Sequence, residues 1–451
     1  MIRRVAVIGG GPAGIEAASA AARTGARVTL ISEGPLGGRA GWDSLLPSKV
    51  WIGAADLLGT IDTTAGRGLV GHGPHEVSPA LVRNRIQATA NAWSAEAGSR
   101  LASLGVEVLQ GQAAFTAPGA LQVQTAADQP PRLLEAEAVI IATGSVPRFP
   151  PGLRPDGKRV LAPRFMSSLD SLPPDIIVVG GGVTGSEFVS LFSRLGVRVT
   201  WLVGPAGVLP QFYPDAGQAL VLALALRGVT VRIGAPATQL EIHEAGVTVN
   251  CADGSSATAA MAFLALGRTP DLQRLNLSML DLQPQADGTL VVDSYGRTII
   301  PGVYAVGDAA GGPMLANRAM AQGWIAGQHA AGLTVAPYRP ETIIHAVYTD
   351  PELAQVGVLD DPAEALLRVR APQSDALKAH LFGETEGWIE LSYNAKDRRV
   401  RGGVAVGPHA ADLLAPVALA ISLGATIDQL GTVFAANPAI SELVFLTARG
   451  G

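Results

Sequence analysis

The sequence predicts an α/β protein built from two Rossmann-like domains and a C-terminal α+β domain. Three observations predict it. An internal repeat at an offset of 171 residues (Val178 against Val7) pairs Val7-Ile8-Gly9-Gly10-Gly11-Pro12-Ala13-Gly14 with Val178-Val179-Gly180-Gly181-Gly182-Val183-Thr184-Gly185. The repeat resumes where Gly25-Ala26-Arg27-Val28-Thr29-Leu30 parallels Gly196-Val197-Arg198-Val199-Thr200-Trp201, so each copy reads strand, glycine turn, helix, glycine, strand. Beyond about residue 337 the pattern changes to strand-like runs at 343–348, 387–393 and 402–406, then a helix at 411–423.

Each glycine in the repeat has a physical reason. Gly9 and Gly180 permit a tight turn, and Gly11 and Gly182 let backbone amides approach a pyrophosphate. Gly14 and Gly185 pack helix against strand, and the phosphates sit on a helix N-terminus, where amide donors and the dipole favour negative charge. A lone G-x-G-x-x-G is weak; two copies in the same strand–helix setting specify two dinucleotide-binding domains. Between them, residues 76–104 read as a helix carrying Leu81, Val82, Ile86 and Leu101. Residues 106–145 alternate apolar and polar positions before Ala138-Val139-Ile140-Ile141-Ala142-Thr143-Gly144, a buried strand stopped by a turn. Pro147, Pro150, Pro151 and Pro155 mark a linker, as does Pro301-Gly302 before Val303.

Composition excludes several classes. A chain of 451 residues with net charge -5 lacks the basic footprint of a nucleic-acid binder, and its low aromatic content offers no stacking platform. Cys251 is the only cysteine, which rules out an intramolecular disulfide and a multi-thiolate metal cage; followed by Ala-Asp-Gly, it reads as a strand-end residue. The seven histidines show no i, i+4 zinc pairing, and no metal site is expected. Arg3-Arg4 before an apolar run looks superficially like a secretion signal, but the run continues into Gly9-Gly10-Gly11 and reads as a first strand. Leu413–Leu423 is interrupted by Pro416 and too short to span a bilayer, so the expectation is a cytoplasmic protein with no transmembrane segment.

At this point the chain resembles the pyridine nucleotide–disulfide oxidoreductases over essentially its whole length. Gly37-Gly38 followed by Leu46-Pro47-Ser48-Lys49 stands where that family carries a paired-cysteine segment ending in Pro-Ser-Lys. Ala142-Thr143-Gly144 is similar to the turn out of the first domain, and Ala265-Leu266-Gly267-Arg268-Thr269-Pro270 to the return strand. Tyr304-Ala305-Val306-Gly307-Asp308 is similar to the second flavin motif, whose Asp accepts a hydrogen bond from the ribityl chain. Leu315-Ala316, with Gln322-Gly323 behind, resembles the helix start beside the flavin pyrimidine, and Tyr348-Thr349-Asp350-Pro351-Glu352 the opening of a dimerisation domain.

The resemblance implies FAD on Gly9, Gly11, Pro12, Ala13 and Gly14, with Gly38, Arg39, Ala113, Thr143, Gly144, Gly307, Asp308, Leu315 and Ala316 around it. It implies NADH or NADPH on Gly180, Gly182, Val183 and Gly185, near Gly267. The implied boundaries are 1–147 with 271–336 for the FAD-binding domain, 148–270 for the NAD(P)H-binding domain and 337–451 for dimerisation into a homodimer. Lys49 and Glu187 are implied to pair beside the flavin N5; the alternatives are a solvated lysine and a surface carboxylate. The family's acidic ribose ligand aligns with Ser32, and Glu33 one residue later is the candidate. In the second unit the matching positions are Val203 and Gly204, which offer no carboxylate or arginine to select a coenzyme.

Two departures bear on the chemistry. Ala40 and Leu45 occupy the cysteine positions, in a segment of unchanged length, and neither forms a thiolate. Where the family has His-Pro and a later Glu, this chain has Asn437-Pro438 and Glu442, and an amide cannot shuttle a proton near neutral pH. Glu442 is therefore expected to be a surface or interface carboxylate, and Trp42 either flanks a planar acceptor or packs. The expected function is hydride transfer from NAD(P)H through FAD to a small-molecule, non-disulfide acceptor, a quinone. The competing readings are a diaphorase acting on a metal ion, oxygen or a partner protein, and a non-catalytic nucleotide-sensing flavoprotein.

Overall fold

The computed structural model describes residues 2–66 and 76–451. β-Branched runs bounded by glycine form two parallel sheets with the same logic. In the first the strand order is Val303–Ala305, Ala138–Ile141, Arg4–Ile8, Arg27–Ser32 and Glu107–Gln110, parallel throughout. Parallel sheets bury both faces, and here each face has its own core. Val5, Val7, Val28, Leu30 and Ile140 pack towards helices Pro12–Arg23 and Ala316–Ala330. Ala6, Ile8, Ile31, Val139 and Ile141 pack on Phe115, Leu121 and Val123 of a three-stranded antiparallel meander, Gln112–Ala117, Ala120–Gln124 and Arg132–Glu135.

The alanines of the first helix have a reason. A Cβ at Gly323 would lie 2.2 Å from the Ala13 carbonyl oxygen, and one at Gly327 2.2 Å from that of Ala17. Backbone therefore meets backbone between the two helices, which leaves room only for small side chains.

The second sheet runs Thr230–Ile233, Arg198–Val203, Asp175–Val179, Met261–Leu264 and Val160–Leu161, again parallel. Val178, Trp201 and Phe263 fill one face; Ile177, Leu202 and Leu264 fill the other against a second meander, where buried Cys251 ends its strand as predicted. A two-stranded antiparallel ribbon of Ser145–Pro147 and Arg268–Pro270 connects the sheets.

The C-terminal sheet is antiparallel, in the order His345–Val347, Leu353–Gly357, Val400–Val406, Trp388–Asn394 and Leu366–Pro372. Leu353–Gly357 and Leu366–Pro372 are not among the predicted strands. The helix expected at 411–423 is two, Ala410–Leu413 and Ala415–Leu423. Pro416 has no amide hydrogen to give and its ring crowds the carbonyl four residues back, so the chain restarts a helix with proline in its first turn. The helix expected at 76–104 spans Pro79–Ser103, opened by Ser78 and Pro79. Among the described residues no helix is long and apolar enough to cross a membrane.

Helix Leu45–Gly66 bridges the two sheet units. Its Trp51 is fully buried, and the indole nitrogen donates to the Met166 carbonyl at 2.9 Å. Trp51→Ala leaves both a cavity and an unpaired carbonyl; urea unfolding is expected to show a loss of about 3–5 kcal/mol.

Candidate active site

Two uncapped helix starts define the site. At Gly9, φ is +118° and a Cβ would fall 2.2 Å from the Ala142 carbonyl oxygen, so only glycine makes this turn. Gly11 caps helix Pro12–Arg23 with no side-chain hydrogen bond, and nothing stands within 4 Å of where its Cβ would be. The first-turn amides are thus left facing open space, an arrangement suited to an anion. Gly38 closes over this turn, its hypothetical Cβ 3.0 Å from the Gly11 Cα. The second copy repeats the geometry: Gly180 has φ +120° and lies 2.2 Å by the same measure from the Ala265 carbonyl, while Gly182 is open and uncapped.

A cavity of about 1160 Å³ extends from the first turn to the second helix. Gly9, Gly11, Pro12, Ala13, Glu33, Gly38 and Arg39 line its first end. Ala113, Thr143, Gly144, Gly307, Asp308, Leu315 and Ala316 continue the wall, and Lys49, Val183, Glu187 and Gly267 stand at the far end. Gly14 and Gly185 do not line it; they are packing glycines, with hypothetical Cβ atoms 1.8 and 1.9 Å from the Gly9 and Gly180 oxygens. Gly180, Gly182 and Val203 also lie outside the cavity wall.

Lys49 and Glu187 meet. The Lys49 Nζ lies 2.7 Å from both carboxylate oxygens, with Glu187 buried and Lys49 30% exposed in its side chain. The Tyr348 amide donates to Glu187 Oε1 at 3.1 Å, and the ammonium sits 4.7 Å from the centre of the Tyr348 ring. Neither the solvated lysine nor the surface carboxylate describes these residues.

Around Asp308 the structure adds partners that motif reading does not single out. The Ser145 hydroxyl donates to Asp308 Oδ2 at 2.5 Å and accepts from Arg268 Nε at 2.7 Å, while Arg268 Nη2 donates to the Ser145 carbonyl at 2.8 Å. Burial lowers the Arg268 pKa, and the Asp308 charge works against that shift. Gln322 accepts from the Gly307 amide at 2.9 Å. The only advance signal for Ser145 and Arg268 is their place beside the Thr-Gly turn and in the return strand.

Glu33 is exposed and held 2.8 Å from Arg274, which also reaches Asp271 at 3.7 Å; Asp271 in turn bonds Arg39, whose guanidinium donates to the Thr143 carbonyl at 3.2 Å. Ser32 is buried and turns its hydroxyl to the Gly34 carbonyl at 2.8 Å. Ala40 and Leu45 both line the cavity. Trp42 lines it as well, with its indole nitrogen tied to the Leu36 carbonyl at 3.0 Å. Glu442, expected to be a surface or interface carboxylate, is partly exposed and has two partners. It accepts from the Asn437 amide at 2.7 Å and the Leu377 backbone at 3.1 Å, because the asparagine amide supplies the donor that an imidazole would.

Comparison with known proteins decides the family. Residues 3–323 match the model of the pyridine nucleotide-disulphide oxidoreductases, and residues 343–447 match the dimerisation domain of the same group. The chain belongs to this family. It is 35% identical to a protein of Mycobacterium tuberculosis named NAD(P)H dehydrogenase (quinone), covering 100% of this chain and 94% of the relative. It is 32% identical to a dihydrolipoyl dehydrogenase of Chlorobaculum tepidum, over 98% and 95% of the two chains. The crystal structure of LpdA from Mycobacterium tuberculosis matches with a TM-score of 0.94 at 34% identity, covering 100% of this chain and 99% of that one.

The family's cofactors, FAD and a nicotinamide dinucleotide, are those of this chain, and its dimerisation domain supports a homodimer. The residues fit FAD on structural grounds. The first helix start is uncapped, and the buried Thr143 hydroxyl in the cavity wall has no partner among the described residues.

Removing Lys49 leaves the Glu187 charge buried with only the Tyr348 amide to compensate. Lys49→Met is expected to cost about 1–2 kcal/mol by denaturant unfolding, below the figure for a fully buried pair because the ammonium keeps partial contact with water.

Proposed function

We propose that the protein is an NAD(P)H dehydrogenase that passes hydride through FAD directly to a quinone, with no dithiol relay. The observation that carries this reading is the placement of Ala40 and Leu45 in the wall of the cavity that ends at the Lys49–Glu187 pair. At the two positions where the family's sulfurs would accept electrons, the wall carries the apolar side chains Ala40 and Leu45, which offer a planar molecule a surface instead. The name of the Mycobacterium tuberculosis relative supports the same acceptor class.

In this reading residues 1–147 with 271–336 hold FAD, residues 148–270 hold NAD(P)H on the open turn at Gly182, and residues 337–451 form the dimer. Bound FAD supplies two-electron chemistry in a single ring system: hydride in, hydride out. The protein's share is binding and electrostatics. The Gly11 turn receives the pyrophosphate, Thr143 gives its unpaired hydroxyl, and Glu33 offers the ribose the oxygen not turned to Arg274. The chain Arg268–Ser145–Asp308 fixes one oxygen of Asp308 and leaves the other for a ribityl hydroxyl. Lys49, held by both carboxylate oxygens of Glu187, is a positive charge that would favour negative charge on a ring bound beside it.

Anaerobic addition of NADH or NADPH is expected to bleach the bound flavin, and substituted benzoquinones to restore it at rates that depend on their structure. Lipoamide is expected to give no turnover. Failure of both coenzymes to bleach the flavin would sink the reading. Ser145→Ala removes a hydrogen bond to a charged group, worth about 1.5–3 kcal/mol; titration of apoprotein is expected to show FAD binding weakened roughly tenfold or more.

A further inference from the structure

Reduction of a quinone by hydride requires a proton as well, and among the described residues no imidazole lines this cavity. Most of the charged side chains in the wall already have partners. Lys49 holds Glu187, Asp271 holds Arg39, Glu33 holds Arg274, and Asp308 is bound by Ser145. The phenol of Tyr348 stands apart from them. It lines the cavity, the residue is 41% exposed, and among the described residues its hydroxyl makes no hydrogen bond.

The rest of the residue is fixed. The Tyr348 amide is bonded to Glu187 and its ring lies over the Lys49 ammonium. A cation on the ring face orients the phenol and stabilises negative charge that develops on it. A ring held against the Lys49 ammonium, with its O–H facing the cavity beside the Lys49–Glu187 pair, is an arrangement suited to a general acid.

We propose that Tyr348 is a catalytic residue, the general acid that protonates the quinone oxygen during hydride transfer; this rests on the quinone reading above. The quinone takes two electrons and one hydrogen as hydride from the reduced cofactor. The Tyr348 O–H bond breaks and a new O–H bond forms on the acceptor oxygen, giving the hydroquinone. Water at the exposed edge of the ring returns a proton to the phenolate.

The charged groups facing the phenol come from four segments: Lys49 and Glu187 on two helices, Glu352 just past the Tyr348 turn, and Asp412 on helix Ala410–Leu413. Burial, then the carboxylates of Glu352, Glu187 and Asp412, push the phenol above its ordinary value of 10.0. The donor is therefore protonated through neutral pH. Quinone turnover should be flat there and fall only in the alkaline range, as Tyr348 ionises.

The test compares 1,4-benzoquinone with ferricyanide, which takes electrons without a proton, in the FAD-loaded dimer and its Tyr348→Phe variant. General acids contribute about 10²–10⁴-fold, so the ratio of quinone to ferricyanide turnover is expected to fall roughly 100-fold. The solvent deuterium isotope effect on quinone turnover should disappear. Hydroquinone titrated into the oxidised protein should bind about tenfold more weakly to the variant, for want of one hydrogen bond. Incorporating 3-fluorotyrosine at position 348, a more acidic phenol of nearly the same shape, should move the alkaline limb to lower pH. An unchanged ratio, equal losses with both acceptors, or an unmoved alkaline limb each overturns the role of Tyr348 and leaves the quinone reading intact. Wild-type protein that reduces ferricyanide but no benzoquinone overturns the quinone reading itself, and this inference with it.

Discussion

A Cβ at Gly14 would lie 1.8 Å from the Gly9 carbonyl oxygen, and one at Gly185 would lie 1.9 Å from that of Gly180. This contact between a helix and the turn that precedes it governs the placement of the whole cofactor cleft. It sets each helix directly on the end of its strand, and the neighbouring strand is drawn in as tightly, since Gly9 and Gly180 press on the Ala142 and Ala265 carbonyls. The segments leaving those two strands, Thr143-Gly144-Ser145 and Leu266-Gly267-Arg268, therefore start from equivalent places in the two copies. They pair with each other as the antiparallel ribbon, which is how Arg268 reaches Ser145 and Ser145 reaches Asp308. A steric constraint repeated in two halves thus ends as a hydrogen-bonded chain between them.

The second organising feature is electrostatic. Glu187 is a buried carboxylate and must be compensated where it stands. Its partners come from helix Leu45–Gly66 and from the C-terminal sheet, so neutralising one charge ties three parts of the chain together. The same face of helix Val183–Arg194 continues the tie: Ser190 accepts from the Asp350 amide at 2.9 Å, and Arg194 lies 3.6 Å from the Asp350 carboxylate, which Arg227 also reaches at 2.6 Å. Positions 187, 190 and 194 are one and two turns apart, so a single stripe of the helix carries both the site's ion pair and its anchorage to the C-terminal unit.

These constraints decide how much of the molecule is legible in its sequence. The glycines can be read because close backbone approach admits no other residue, and the two α/β units can be read because the spacing occurs twice. Lys49 and Glu187 are found through the motifs around them. Ser145 and Arg268 do not stand out, because an ordinary serine and arginine acquire their meaning only from the register of a ribbon whose strands are far apart in the chain. Arg274 at Glu33 is the same kind of case: the carboxylate has the expected distance from the glycines, but its cation comes from beyond the second sheet. The break at Leu414 is hidden by a run of helix-favouring residues, although Pro416 interrupts it. Strand Leu353–Gly357 is short and mostly buried, with little alternation to read, whereas Leu366–Pro372 alternates at Leu367-Arg368-Val369-Arg370-Ala371 but is a mostly exposed edge strand that ends in proline.

The segment that lost its cysteines shows how shape survived a change of chemistry. Nothing covalent fixes residues 37–45, since the chain has one cysteine and it lies elsewhere. The Trp93 ring takes that part: Cβ atoms at Gly37 and Gly41 would sit 2.7 and 2.6 Å from its edge, so the indole lies directly on the backbone of the short helix Gly38–Trp42. Trp42 pins the other side through the Leu36 carbonyl. An aromatic ring packed closely on glycine backbone holds a turn by contact rather than by a bond. Ala40 and Leu45 are then presented to the cavity by a scaffold that does not need their chemistry. Glu442 and Asn437 repeat the pattern, with the carboxylate still holding its partner after the partner lost the capacity to carry a proton. In both places the reactive atom is absent, and the surrounding segment is held by contacts that do not involve it.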